Sequence, residues 1–305
     1  MASWQARSIN LGIRTFIRRR SWGNEIQLSR RARLLFGIPT ALSRLFTKGI
    51  TITGMPDGNV RGEWLEPARP ASGVILYMHG GGYVSCSPPS HRPITGALAR
   101  STRMRVFSVD YRLAPENRFP AALDDAVAAY RWLLDVKGIA TSGLAVAGDS
   151  AGGGLTLALL LKVRDLGLPM PSCVVCFSPW TDLAGSGKSV IANEDSCAMF
   201  RSENIYDFAA AYLGGHSAQD PFASPVYGDL SDLPPVLLHV ASTELLLDDS
   251  RRVHDKILKA GGQSKLHVFD GVAHGWQMLQ GIVPEAKASV QEAANFIIAH
   301  QPATR

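Results

Sequence analysis

A chain of 305 residues, of which 46% are hydrophobic, is long enough to bury one large core. No uninterrupted apolar stretch approaches the roughly 18 residues of a membrane-spanning helix, so the sequence predicts no stable membrane span. The formal net charge of +5 is uneven, because the first 50 residues carry +9 and the remainder −4. Four cysteines are too few for a disulfide framework and favour a reducing, cytoplasmic location.

The basic N-terminal segment places Ile, Leu and Phe at spacings of three and four over residues 7–20 and 28–46, which predicts two amphipathic helices. Our main interpretation is that these helices pack their apolar sides on the protein and leave their arginines in water. The arginines concerned are Arg18, Arg19, Arg20, Arg30, Arg31 and Arg33. The alternatives are a membrane-surface helix and an organellar transit peptide. A secretory signal is not expected, because the segment lacks the apolar region and the small-residue cleavage site of such a signal. No aromatic platform or motif supports nucleic-acid binding.

Two alternating runs at residues 49–53 and 60–64 flank the turn-forming Pro56, Asp57 and Gly58 and predict an edge hairpin. From residue 74 onward, short β-branched runs alternate with helical stretches. Strands are predicted at 74–78, 105–109, 143–148, 172–177, 236–242 and 266–269, and helices at 120–135, 151–166, 202–213, 248–260 and 284–299. This alternation predicts an α/β fold with a mostly parallel sheet, helices on both faces and reactive groups at the carboxyl ends of the strands.

The strand-helix alternation lapses over residues 183–225, which have no place in the predicted sheet. An insertion of this size after a core strand is expected to lie over the active site together with the N-terminal helices. We therefore expect residues 1–47 to form an N-terminal helical cap segment and residues 48–305 a catalytic domain, in which the insertion contributes to the cap.

The pentapeptide Gly-Asp-Ser-Ala-Gly at residues 148–152 follows the apolar run 143–147 and precedes the leucine-rich stretch 155–161. This context is typical of a tight strand-to-helix turn that presents a nucleophilic serine at its apex. Ser150 is therefore the predicted nucleophile, and Asp149 is expected to brace the turn.

His79 and the consecutive glycines Gly80, Gly81 and Gly82 follow the strand predicted at 74–78. Three glycines in a row indicate backbone that must approach another group closely with its N–H groups exposed. We predict an oxyanion hole in which the N–H groups of Gly81, Gly82 and Ala151 stabilise the charge of a tetrahedral intermediate. His79 is expected to orient this loop rather than to act as a base.

A serine hydroxyl needs a neighbouring base, and the base needs an acid to fix its tautomer. Of the eight histidines, His274 lies in the loop directly after the last predicted strand. Glu244 lies two residues beyond the preceding strand, whereas Asp248 lies where the next helix begins, a common place for a capping aspartate. We favour Glu244 as the acid and keep Asp248 as the alternative. The order serine, acid, histidine is that of α/β-hydrolases.

Four motifs of the chain resemble those of the bacterial hormone-sensitive-lipase-like esterases, also called family IV, of the α/β-hydrolase fold. They are His-Gly-Gly-Gly at 79–82, Asp-Tyr-Arg-Leu-Ala-Pro-Glu at 110–116, Gly-Asp-Ser-Ala-Gly at 148–152 and the loop that carries His274. The resemblance implies an eight-stranded core sheet, a helical cap and hydrolysis of short- to medium-chain acyl esters without a cofactor, and it suggests a homodimer. One departure is that the family usually has Asp-Pro-Leu where this chain has Glu244-Leu-Leu.

The sequence thus predicts a serine carboxylic ester hydrolase that acts on small-molecule esters through an acyl-enzyme. No metal is expected, because Cys173 and Cys176 fall within a predicted strand and there point to opposite faces. The alternatives are a peptidase or amidase on the same fold and a non-catalytic receptor for a small ligand. Propeller repeats would favour the first alternative and a missing triad residue the second, and the sequence shows neither.

Overall fold

The structure is a computed structural model that describes residues 2–20, 22–37, 40–55, 58 and 60–302. The strands are β1 (Ile50–Met55), β2 (Gly62–Pro67), β3 (Val74–Met78), β4 (Arg105–Val109), β5 (Leu144–Asp149), β6 (Cys173–Phe177), β7 (Val236–Ala241) and β8 (Ser264–Phe269). The α-helices are α1 (Trp4–Ile13), α2 (Glu25–Phe36), α3 (Thr40–Ser43), α4 (Arg92–Thr102), α5 (Ala121–Asp135), α6 (Ala151–Asp165), α7 (Ser189–Ala192), α8 (Ser202–Leu213), α9 (Leu247–Lys259) and α10 (Pro284–Ala299). A π-helical turn, Arg14–Arg18, continues α1.

The eight strands form one sheet in the order β1-β2-β4-β3-β5-β6-β7-β8. Strands β3 to β8 pair in parallel, whereas β2 is antiparallel to both β1 and β4. The predicted edge hairpin is present as β1 and β2, with Ile50 opposite Pro67. Pro56 and Asp57 of its predicted turn lie outside the described residues. All six strands predicted from residue 74 onward are found, and the α/β prediction is confirmed.

The central strands are buried on both faces, as expected for parallel strands covered by helices on each side. On β3, Ile75 and Tyr77 pack in the layer with α4 and α10, while Val74, Leu76 and Met78 pack in the layer with α5 and α6. Strand alternation therefore assigns neighbouring residues to opposite cores.

The two cysteines of β6 follow the same rule. Cys173 belongs to the core with α4 and α10, and Cys176 to the core with α6 and α9. Both are buried and free. Their C-x-x-C spacing therefore produces two core residues that do not face each other.

The N-terminal helices differ from the prediction in their ends. The sequence predicts one helix over 28–46, but α2 ends at Phe36 and the short α3 begins at Thr40. Pro39, which lies outside the described residues, has no N–H with which to continue a helix. Helix α4 was not predicted at all. Among the described helices, none is long and apolar enough to cross a membrane.

Two of the arginines that we expected to find in water form ion pairs instead. Arg18 lies 3.3 Å from the carboxylate of Glu194, and Arg33 lies 2.6 Å from that of Glu116. Because Glu194 belongs to the 183–225 insertion, the first pair joins the N-terminal segment to that insertion. The prediction of solvated arginines is therefore wrong for these two, since carboxylates from distant segments lie within their reach.

Candidate active site

Ser150 stands at the turn between β5 and α6, with backbone angles φ 54° and ψ −124°. Non-glycine residues rarely adopt a positive φ, and such strain is typical of a nucleophile elbow. The close packing beneath this turn requires glycine, because a Cβ on Gly152 would lie 2.2 Å from the carbonyl oxygen of Met78. Gly152, two residues after the serine, therefore lets the start of α6 rest directly on β3.

The predicted nucleophile, base and acid lie in one line of contacts. Ser150 Oγ is 2.9 Å from His274 Nε2, and His274 Nδ1 is 2.6 Å from Glu244 Oε2. Asp248 lies instead in the first turn of α9, where its Oδ2 accepts a hydrogen bond of 3.0 Å from the N–H of Ser189. The structure thus brings Glu244 to His274 and places Asp248 elsewhere.

The carboxylate of Glu244 is fixed by donors from its surroundings. Its Oε1 accepts hydrogen bonds from the Ser178 hydroxyl at 2.6 Å and from the Ala241 N–H at 2.9 Å. Asn193 also donates to the Glu244 carbonyl at 2.7 Å. Ser178 and Asn193 were not predicted as positioning residues. Only the place of Ser178, directly after the strand predicted at 172–177, could have indicated it.

The pKa of His274 reflects two opposing influences. Burial lowers this pKa, but the neighbouring Glu244 carboxylate and its hydrogen bond outweigh burial, so that the pKa is raised above its ordinary value. The ring of Phe200 also packs edge-on against His274 at 5.4 Å. The imidazole is therefore held in place and is well suited to accept a proton from Ser150.

The glycine loop after β3 exposes backbone donors beside Ser150. Gly81 has φ 115°, and a Cβ there would lie 2.3 Å from the carbonyl oxygen of Ser85, so only glycine fits. Within the described part of the chain, the N–H groups of Gly81 and Gly82 have no hydrogen-bond acceptor. Ala151 is the first residue of α6, and an N–H at this position has no acceptor in its own helix. These three donors can therefore bind an anionic oxygen.

Gly80 and Asp149 hold the glycine loop against the elbow. The N–H of Gly80 donates to Asp149 Oδ1 at 3.0 Å, and the Tyr77 hydroxyl donates to the same oxygen at 2.8 Å. His91 Nε2 lies 3.1 Å from Asp149 Oδ2. Burial would raise the pKa of Asp149, but the nearby His91 and these hydrogen bonds lower it overall. His91 lies after the loop and before α4, and no role was predicted for it from the sequence.

His79 lies beneath the glycine loop and does not contact the triad. Its Nδ1 is 2.7 Å from the Gly80 carbonyl, and its ring stacks on Tyr111 at 4.2 Å. The Tyr111 hydroxyl donates to the His79 carbonyl at 2.6 Å. Burial lowers the pKa of His79 to about 3, so the ring is neutral at ordinary pH. This geometry suits a residue that orients the loop.

An apolar cavity of about 370 Å³ opens beside Ser150 and His274. Its walls come partly from the N-terminal helices and partly from the 183–225 insertion. They include Ile9, Ile13, Ile17, Leu35, Phe200 and Phe208. Arg14 fastens the two segments together by donating to the Asp195 carbonyl at 2.8 Å. Around the triad, the described residues contain no group of three metal-ligating side chains.

Comparisons with known proteins agree with this architecture. A family model described as the α/β hydrolase fold matches residues 75–278. An acetyl-hydrolase from Streptomyces hygroscopicus is 39% identical over 250 residues, which cover 80% of this chain and 83% of that protein. An esterase from Acinetobacter venetianus is 35% identical over 258 residues, covering 84% and 85%. The crystal structure of an esterase from the bacterial hormone-sensitive lipase family is 37% identical with a TM-score of 0.89, covering 99% of this chain and 100% of that chain.

The chain therefore belongs to the bacterial hormone-sensitive-lipase-like esterases of the α/β-hydrolase fold. The predicted fold class and the predicted hydrolysis of carboxylic esters are confirmed. Neither a peptidase nor a non-catalytic receptor is favoured by these relatives.

Proposed function

We propose that Ser150, His274 and Glu244 form the catalytic triad of this carboxylesterase. The observation that carries the proposal is the unbroken line of contacts from the serine hydroxyl through both ring nitrogens of His274 to a buried carboxylate. The arrangement is the one that activates a serine for attack on a carbonyl carbon.

In the first half-reaction, His274 Nε2 removes the proton of the Ser150 hydroxyl as Oγ attacks the ester carbonyl carbon. The resulting imidazolium is stabilised by Glu244 on its Nδ1 side. His274 then gives the proton to the leaving alcohol oxygen, the C–O bond of the ester breaks, and the acyl group remains on Ser150. In the second half-reaction, His274 activates water, which releases the acid and restores the serine.

The tetrahedral intermediate of each half-reaction carries its negative charge on the former carbonyl oxygen. We propose that the N–H groups of Gly81, Gly82 and Ala151 bind this oxygen, supported by their position beside Ser150 and by the lack of a protein acceptor for the two glycines within the described residues. His79, Gly80 and Asp149 then act as positioning residues that hold the loop in this conformation.

The substrates we propose are small-molecule esters with short to medium acyl chains. The cavity volume of about 370 Å³ falls within the range of small-molecule sites and its walls are almost entirely apolar. Each buried CH₂ group contributes about 0.8 kcal/mol, so kcat/KM should rise about fourfold per added carbon until the cavity is filled. Longer chains should then give no further gain.

The cap is also part of the proposal. Described residues from both the 1–47 segment and the 183–225 insertion line the cavity, which supports a shared role in covering the substrate. Ile13 and Leu11 offer a matched pair of variants on α1, because Ile13 lines the cavity while Leu11 is 68% exposed.

The test uses p-nitrophenyl esters from acetate to palmitate. Ser150→Ala should abolish hydrolysis and labelling by a fluorophosphonate, and surviving activity would disprove the assignment of the nucleophile. Ile13→Ala should move the preferred acyl chain to greater length, whereas Leu11→Ala should leave the profile unchanged. An identical shift in both variants would contradict the proposed role of the N-terminal helices.

We further propose a cytoplasmic location and a homodimer. The first is supported by the four free cysteines, which suit a reducing compartment. The second rests on the resemblance to the family and is tested by sedimentation velocity, in which a single species of monomer mass across micromolar concentrations would refute it.

A further inference from the structure

Three potential metal ligands meet on the β7–β8 side of the sheet, outside the triad. His239 on β7 and His267 on β8 are direct partners in the parallel pairing of these strands, so both side chains leave the same face of the sheet. Helix α10 brings the carboxylate of Glu292 to this pair. We call these three residues the His-His-Glu cluster.

The spacing of the cluster suits a small divalent cation. Glu292 Oε2 lies 3.4 Å from His239 Nε2 and 2.7 Å from His267 Nδ1, and the three ligand atoms all lie within 4.8 Å of one another. In a tetrahedral zinc site with bonds of about 2.0–2.1 Å, neighbouring ligand atoms are about 3.3 Å apart. The first distance already has this value, and the second is about 0.6 Å shorter. The distance between the two histidine nitrogens lies within the 4.8 Å limit, and the exposed His267 is the ligand that can move to adjust both.

His239 provides an independent indication of a missing partner. Its side chain is completely buried, and Nε2 makes no hydrogen bond of normal geometry within the described residues, although Glu292 Oε2 lies 3.4 Å away. The opposite nitrogen, Nδ1, lies 2.8 Å from the hydroxyl of Ser289, which also accepts a hydrogen bond from Gln277. Metal-bound histidines are usually held in this way through their other nitrogen. Nε2 therefore faces the Glu292 carboxylate without a well-formed hydrogen bond, as a ligand atom would.

Lys265 is the competing cation at this place. Its Nζ lies 2.6 Å from Glu292 Oε1, whereas both histidines approach Oε2. The lysine therefore occupies the other carboxylate oxygen and leaves Oε2 to the two histidines. Its side chain is 61% exposed, so it can move into solvent when a divalent ion neutralises the carboxylate.

We propose that the His-His-Glu cluster binds one divalent transition-metal ion of the zinc class, with water completing the coordination on the exposed side of His267. Imidazole and carboxylate ligands are those that zinc accepts. Such an ion would tie the edge strand β8 to β7 and α10. Its role would be structural, separate from ester hydrolysis by the triad.

The test measures metal binding and thermal stability on the full chain, produced without a histidine tag. After dialysis against Zn²⁺, the wild-type chain should retain about one ion per molecule, and Co²⁺ should give the visible absorption of a four-coordinate site. At a hundredfold excess over Kd, Zn²⁺ should raise the melting temperature by about 4 °C, and a chelator should reverse the rise.

Variants assign the binding to the cluster. His267→Ala and Glu292→Gln should lose the bound ion and the zinc-dependent rise in melting temperature, and Lys265→Met should bind Zn²⁺ more tightly. The control is His216→Ala, which removes an exposed histidine outside the cluster and should retain binding. Substoichiometric Zn²⁺ in the wild type, or unchanged Zn²⁺ in His267→Ala and Glu292→Gln, would overturn the proposal.

Discussion

Replacing Glu244 by glutamine tests the proposed acid most directly, because the amide keeps the shape of the carboxylate and changes only its hydrogen bonding. In the wild type, Glu244 Oε1 accepts a hydrogen bond from the N–H of Ala241, which can only donate. The oxygen of glutamine must take this position, so its NH₂ group faces His274 Nδ1. Nδ1 then has to accept, and the ring proton moves to Nε2. In that tautomer His274 cannot take the proton of Ser150.

The expected loss follows from this tautomer. A base held in the wrong tautomer lowers kcat by about 10⁴-fold, which corresponds to about 5.5 kcal/mol of transition-state stabilisation. Asp248→Asn is the matched control, because Asp248, in the first turn of α9, accepts a hydrogen bond from the N–H of Ser189 and not from His274. Loss of its charge there should cost about 0.3–1 kcal/mol of stability through the helix dipole and leave kcat close to the wild-type value.

Initial rates with p-nitrophenyl butyrate measure kcat for both variants, and thermal melting shows whether each is folded at the assay temperature. A folded Glu244→Gln variant that keeps more than a tenth of the wild-type kcat would refute the role of Glu244 as the acid. So would an Asp248→Asn variant that loses as much activity as Glu244→Gln, since the acid would then not be identified by its contact with His274.

Three further predictions concern pH and the glycine loop. Because Glu244 raises the pKa of His274, wild-type kcat/KM should fall as the pH drops through a value above 6.5. In Glu244→Gln, the pH at which the rate of fluorophosphonate labelling falls should be lower than in the wild type. Gly81→Ala should lower kcat about 10²-fold or more, whereas Gly215→Ala, with open space around it, should not. The pKa of His79 is about 3 in the folded protein and near 6.5 when unfolded, so the unfolded chain binds a proton that the folded protein does not as the pH falls below about 6.5. The free energy of unfolding, measured in urea titrations, should therefore fall by about 2 kcal/mol between pH 7 and pH 5. The fall should be smaller in His79→Gln.

Each of these predictions has a contrary result. If the labelling rate of Glu244→Gln falls at the same acidic pH as that of the wild type, a group other than His274 determines this pH dependence. Equal losses of kcat in Gly81→Ala and Gly215→Ala would mean that backbone strain rather than the oxyanion donors matters. A difference in stability between pH 7 and pH 5 that is the same in His79→Gln and the wild type would assign the pH dependence to other groups.

The sequence predicted the features that depend on local signals. The turn at Ser150 and the loop at Gly81 need glycines at fixed offsets, and the parallel strands are continuous apolar runs, so both leave a pattern that a single chain reveals. Helix α4 was harder to recognise in the sequence, because it contains Pro93 and Gly96, which have low helix propensity. Its stability comes from packing on the sheet.

Long-range contacts were beyond the reach of the sequence. The choice between Glu244 and Asp248 depends on the distance from two loops to His274, which is a property of the folded sheet. Ser178 and Asn193 approach Glu244 from other segments of the chain. Ser178 follows a predicted strand, but nothing in the local sequence of either residue shows that it meets Glu244. The ion pair of Arg18 with Glu194 joins residues 176 positions apart and was missed for the same reason.

The first helix is anchored by the last one, since the N–H and hydroxyl of Ser3 both donate to the carboxylate of Glu285 at 2.6 and 2.8 Å. During synthesis from the N-terminus, α1 must therefore wait for a partner made 282 residues later. At about 5–20 residues per second this delay is roughly a quarter of a minute to one minute. Because Ile9 and Ile13 of α1 line the cavity, this wall of the substrate pocket is anchored only after α10 has left the ribosome.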